Sequence, residues 1–144
     1  MSVRIRAARE TDVTVCVAIY LAAYQAAPYN ACWDDATAER IIHEMMRVHP
    51  DDCFVAELEG QVVGFVLCST LAAMRAMIEE FAVAPEYQGQ GVGEAMLKHV
   101  VGRYRREGFR VLELIANRRA PAWEFYRKRG FREPDDYRLM SLDL

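Results

Sequence analysis

The chain has 144 residues, 53% of them apolar and 27% charged, with a formal net charge of −3. That length fits one domain with a single useful core, so residues 1–144 are expected to form one unit, and the composition is that of a soluble globular protein. No apolar run approaches the roughly 18 residues of a membrane span, and the mild acidity gives no general pull toward nucleic acid, so neither a membrane nor a nucleic acid is expected as a partner.

Residues 3 to 7 alternate in polarity as a strand, which leaves no room for a leader peptide and points to a cytoplasmic protein. From Thr11 to Tyr24 the apolar residues Val13, Cys16, Val17, Ile19, Tyr20 and Tyr24 recur at helical spacing. Pro28 and Asn30 interrupt the pattern. A second helix is expected from Asp34 or Asp35, whose carboxylates suit a helix N-terminus, to about His49, with Ala38, Ile41, Ile42, Met45 and Met46 on its buried face. Cys53 to Leu58 and Gln61 to Thr70 read as a hairpin turning at Glu59-Gly60, and Ala76 to Val83 as a further strand. Val92, Met96, Leu97, Val100, Val101 and Tyr104 mark a helix that stops at Gly108. A strand from Arg110 to Ala116, a helix from Ala120 to Arg129 closed by Gly130, and a final strand from Tyr137 to Leu142 complete the chain. The order β-α-α-β-β-β-α-β-α-β argues for an α/β layered domain.

Four cysteines, Cys16, Cys32, Cys53 and Cys68, form no C-x-x-C pair and read as reduced thiols. His43, His49 and His99 are scattered without metal-ligand spacing, and no metal site is expected. The chemistry lies instead in Gln88-Gly89-Gln90-Gly91-Val92-Gly93, which joins a strand to a helix. Glycines there let backbone N–H groups close on a phosphate, and the helix adds its own unpaired N–H groups and its positive dipole end. A Walker loop would need Lys-Ser/Thr after Gly93, where Glu94-Ala95 stands, and a dinucleotide fingerprint would need glycine where Glu94 or Met96 stands.

The hexapeptide resembles the Gln/Arg-x-x-Gly-x-Gly/Ala loop of the Gcn5-related N-acetyltransferases, the GNAT family. Glu113-Leu114-Ile115-Ala116-Asn117 and then Ala122 to Phe131, which carries Phe-Tyr before Gly130-Phe131, are similar to that family's second signature. The likeness covers nearly the whole chain, most strongly residues 76 to 133. It implies the GNAT acyl-CoA N-acyltransferase fold, α/β (α+β), with a mixed, mostly antiparallel sheet and helices on both faces. It further implies transfer of an acetyl group from acetyl-CoA to a primary amine, without metal. A non-catalytic acyl-CoA binding module on the same fold is the alternative, and a second copy of the chain is an admissible partner.

By the same resemblance Phe81, Ala82 and Val83 hold the pantetheine arm and thioester, and Gln88, Gly89, Gln90, Gly91, Val92 and Gly93 the pyrophosphate. Asn117 contacts the arm or an ordered water, and Arg127, Lys128 and Arg129 are candidates for the 3′-phosphate. Tyr126, four residues before Gly130, matches the family's general acid. For the base, Glu79 and Glu80 compete. Strict strand alternation places only one of the two carboxylates on the side of Phe81 and Val83 and names Glu79, while a bulge would swap the assignment. Tyr29, Trp33, Asp34, Asp35 and Glu80 are expected to wall the acceptor site, the acidic residues favouring a cationic amine.

Overall fold

A computed structural model describes residues 2–144, the side chain of Ala73 excepted, so Met1 lies outside the described residues. The strands β1 (Arg4–Ala7), β2 (Cys53–Leu58), β3 (Gln61–Leu71), β4 (Arg75–Val83) and β5 (Val111–Leu114) form one sheet in that order. Its first three pairings are antiparallel, and β4 with β5 is parallel. Helices α1 (Val13–Tyr24) and α2 (Asp35–Val48) precede β2, α3 (Val92–Arg106) connects β4 to β5, and α4 (Pro121–Arg127) follows β5. The mixed sheet with helices on both faces is the expected architecture.

Alternation along the strands separates two cores. Phe54, Ala56, Val66 and Cys68 pack with Val92, Met96, Val100 and Tyr104 of α3 on one face. Val55, Phe65 and Leu67 pack with Cys16, Ile19 and Tyr20 of α1 and Ala38 and Ile42 of α2 on the other. Turn chemistry sets the joints. Glu59 and Gly60 have φ of 50° and 80°, the left-handed pair that a two-residue hairpin wants. Asp34 caps α2, its Oδ1 accepting the Thr37 N–H at 2.7 Å.

The expected final strand, Tyr137 to Leu142, does not form. Residues from Phe131 onward carry no regular structure, and Tyr137, Leu139, Met140 and Leu142 are exposed. Polarity alternation is a local signal, whereas a strand exists only where a neighbouring ladder accepts its hydrogen bonds. The last helix and strand are also shorter than expected, ending at Arg127 and Leu114.

Gly64 on β3 decides how closely α3 approaches the sheet. A Cβ at this position would lie 3.0 Å from the Ala82 carbonyl oxygen and 3.0 Å from the Met96 methyl. Gly64→Ala must therefore push strand or helix apart, and a loss of about 1–3 kcal/mol in unfolding free energy is expected from urea denaturation.

Candidate active site

β4 and β5 share only the register from Arg75–Val111 to Ile78–Leu114. Beyond it the two strands part, and β4 continues to Val83 with one edge unpaired. Hydrogen bonding fixes which groups that edge exposes. The Ala84 N–H bonds the Val63 carbonyl on β3 at 2.8 Å, so alternation turns the backbone groups of Ala82 toward β3 and those of Phe81 and Val83 into the gap. Two side chains cover those carbonyls. The Tyr24 hydroxyl, at the end of α1, donates to the Phe81 carbonyl at 3.0 Å, and Gln88 Nε2 donates to the Val83 carbonyl at 3.0 Å.

The gap is a cavity of about 700 Å³ that runs from Tyr24 and Tyr29 past Phe81, Ala82 and Val83 to the glycine loop. Gly89 and Gly91 adopt φ of 75° and 88°, and Gly91 is the N-cap of α3. Ala95 N–H closes the first helical bond on the Gly91 carbonyl, so the N–H groups of Val92, Gly93 and Glu94 are left without intrahelical partners. Gly89, Gly91 and Gly93 line the cavity; the Val92 side chain is buried in the core, and Gln90 Nε2 donates to the Glu86 carbonyl. A loop of this kind fits a bound anion through its backbone.

The carboxylate pair departs from simple alternation. Glu80 stands opposite Leu67 and Ile78 opposite Cys68, which leaves Glu79 as an extra residue without a partner on β3. Burial records the same slip: Ala76 and Ile78 pack on the α3 face, and so do Phe81 and Val83. Glu80 therefore faces the α1–α2 side together with Ala82. Glu79 does not take the side of Phe81 and Val83 that alternation gives it; its Oε1 accepts the Ser69 hydroxyl at 2.6 Å, and Ser69 alternates with Cys68 onto that same α1–α2 side. The bulge thus places both carboxylates on one face; Glu79 lines the cavity, whereas Glu80, expected in the acceptor wall, is partly buried toward α1 and α2 and does not line it. Burial first, and the Glu79 charge second, push the Glu80 carboxyl up to about 7.

Tyr126 reaches the cavity from α4. Gly130, at φ 95°, turns the chain so that the Phe131 N–H bonds the Tyr126 carbonyl, and Phe131 packs edge-on against the Tyr126 ring at 5.4 Å. Phe81 and Phe125 flank the ring from the other sides. Burial raises the Tyr126 hydroxyl well above the ordinary tyrosine range, so it stays protonated. Tyr29 also lines the cavity, edge-on to Tyr24 at 4.7 Å.

Other expected residues divide. Asn117 lines the cavity, but its Oδ1 accepts the Arg119 N–H at 2.8 Å and shapes the turn after β5. Arg129 lines the cavity, stacked 3.9 Å over Phe125, whereas Arg127 pairs with Glu124 along α4. Trp33 is exposed on the connection before α2 and does not line the cavity, nor do Asp34 and Asp35. Tyr24 was legible only as one member of an apolar stripe, because nothing local reveals that a stripe's last hydroxyl meets a strand 57 residues away.

A sheet split beside a strand-loop-helix anion site defines the acyl-CoA acyltransferase class of fold. The Acetyltransferase (GNAT) family model matches residues 18–131, and the chain belongs to that family. It is 33% identical over 98 residues to an uncharacterized N-acetyltransferase of Methanocaldococcus jannaschii, a match covering 63% of this chain and 43% of that protein. It is 26% identical to an uncharacterized N-acetyltransferase of Archaeoglobus fulgidus over 91% of this chain and 94% of that one. Among solved structures, the PaiA N-acetyltransferase of Thermoplasma acidophilum in complex with coenzyme A shares the fold. That likeness has a TM-score of 0.78 at 19% identity and covers 94% of this chain and 92% of the other.

The Glu80 environment gives a stability test. A carboxyl raised from its usual 4.5 to about 7 binds its proton more tightly in the folded state, so folding stability falls as pH climbs between those values. Glu80→Gln should remove this slope. In urea titrations the variant should match wild type near pH 4 and exceed it at pH 8.

Proposed function

We propose that this chain transfers the acetyl group of acetyl-CoA to a primary amine by direct attack, with the carboxylates of the β4 bulge as base and Tyr126 as acid. The observation that carries the reading is the convergence on one cavity of the unpaired Phe81–Val83 edge, the glycine loop, Glu79 and Tyr126. The donor would lie along the split, its amide arm on the backbone groups of Phe81 and Val83 and its pyrophosphate on the N–H groups of Gly89 to Gly93. The complex of the Thermoplasma acidophilum relative with coenzyme A supports that placement through the shared fold alone.

An alkyl ammonium near pKa 10 must shed a proton before its nitrogen can attack the thioester carbon. Glu79, which reaches the cavity, holds the ammonium. The Glu80 carboxyl, raised to about 7, is close to half ionised at neutral pH, and its ionised form takes and holds that proton more firmly than an ordinary carboxylate would. The C–N bond then forms as the C–S bond breaks. The Tyr126 hydroxyl donates to the departing sulfur, and its raised pKa makes that donation chiefly a hydrogen bond that strengthens as negative charge develops. A cationic amine suits the acidic bulge and the aromatic wall of Tyr24 and Tyr29.

Two experiments test this reading. Gly91→Asp should abolish most coenzyme A binding by calorimetry while the fold survives, since no atom beyond its chain neighbours lies within 4 Å of the added Cβ and the cost is confined to local backbone strain, while the carboxylate sets a negative charge against the pyrophosphate. Coenzyme A affinity equal to wild type would remove the loop from the site. Tyr126→Phe keeps the aromatic packing and deletes the hydroxyl. A fall in kcat of about 10²-fold is expected, the low end for a proton-transfer group, with coenzyme A affinity little changed.

A further inference from the structure

The unpaired edge of β4 is not bare. Both of its carbonyls facing the gap carry a side-chain donor, Tyr24 on Phe81 and Gln88 on Val83, each at 3.0 Å. Gln88 comes from the anion loop itself. Tyr24 comes from the other side of the molecule, where α1 ends and the connection to α2 begins. Its ring is fixed between Tyr20, 4.9 Å away, and Tyr29, 4.7 Å away, and burial keeps its hydroxyl protonated. The hydroxyl therefore has a rigid mount and one strand-edge acceptor.

We infer that the Tyr24 hydroxyl stands in for an amide N–H of the donor's arm. It satisfies the Phe81 carbonyl while the split is empty and gives that carbonyl up when an arm amide arrives. This rests on the proposed donor site. An edge carbonyl in a partly buried gap needs a partner, and a tethered hydroxyl supplies one without closing the gap as a strand would. Binding then exchanges one hydrogen bond for another, so Tyr24 acts as a positioning residue that keeps the edge ordered and lowers affinity for the arm. The adenosine end of the donor lies at the glycine loop and is indifferent to it.

Tyr24→Phe separates this role from simple packing, because phenylalanine keeps both ring contacts and removes only the hydroxyl. Calorimetry should show coenzyme A binding about three- to tenfold tighter in the variant, the size of one net hydrogen bond, with adenosine 3′,5′-diphosphate, which has no arm, bound equally by both proteins. The free variant should melt at a lower temperature than wild type. Lower melting with unchanged or weaker coenzyme A binding would show a purely structural hydroxyl and overturn the inference. Should the variant fail to fold, wild type is compared with coenzyme A analogues in which each arm amide N–H in turn is replaced by an ester oxygen. Weaker binding of one analogue supports the exchange, and equal binding of all overturns it. Wild type that binds neither coenzyme A nor the diphosphate would defeat the donor site itself, a result distinct from either.

Discussion

The candidate site depends on one parting: β4 and β5 pair for four residues and then separate. A parallel pair that stayed together to Val83 would satisfy its own backbone and leave nothing for a ligand to bond. Separation creates a short edge of N–H and C=O groups without a strand partner where the outermost strand leaves the sheet, a place where buried polar groups must find other partners. The cavity, the side chains that cover the edge and the approach of α4 all answer that demand. Phe81, Phe125 and Tyr126 line the opening, and Tyr126 makes edge contacts with Phe81, Phe125 and Phe131.

The bulge at Glu79 is the second constraint, and it acts through parity. Inserting one residue shifts every side chain beyond it to the opposite face. Because of that slip Phe81 and Val83 face α3 while Glu80 turns toward α1 and α2, beside Glu79 instead of opposite to it. Burial, and then the neighbouring Glu79 charge, raise the cost of ionising Glu80. The same device that disrupts a ladder thus puts two carboxylates on one face, with Glu79 lining the cavity at the split.

The glycine loop contributes by geometry more than by charge. Gly89 and Gly91 hold left-handed conformations, and α3 starts directly after Gly91 with the positive end of its dipole at the loop. Glu94 in the first turn of α3 and Arg129, just after α4, approach each other to 3.5 Å, and both line the cavity beside this loop.

Sequence by itself determined what is written in consecutive residues. Helical stripes, the Glu59-Gly60 turn and a helix start at Asp34 or Asp35 depend on local conformational preference and on spacing, and these were legible in the chain alone. The identity of the fold followed because two such local motifs stand in a fixed order. Tertiary structure alone decided the rest, because it concerns relations between distant segments. Whether Tyr137 to Leu142 makes a strand depends on a partner, and none among the described residues accepts it. Which face Glu79 and Glu80 take depends on the register against β3, where one unpaired residue outweighs the alternation of the whole strand. That Tyr24 serves the Phe81 carbonyl, while the equally aromatic Trp33 stays exposed, depends on where α1 ends above the split, a distance in space that no local pattern encodes.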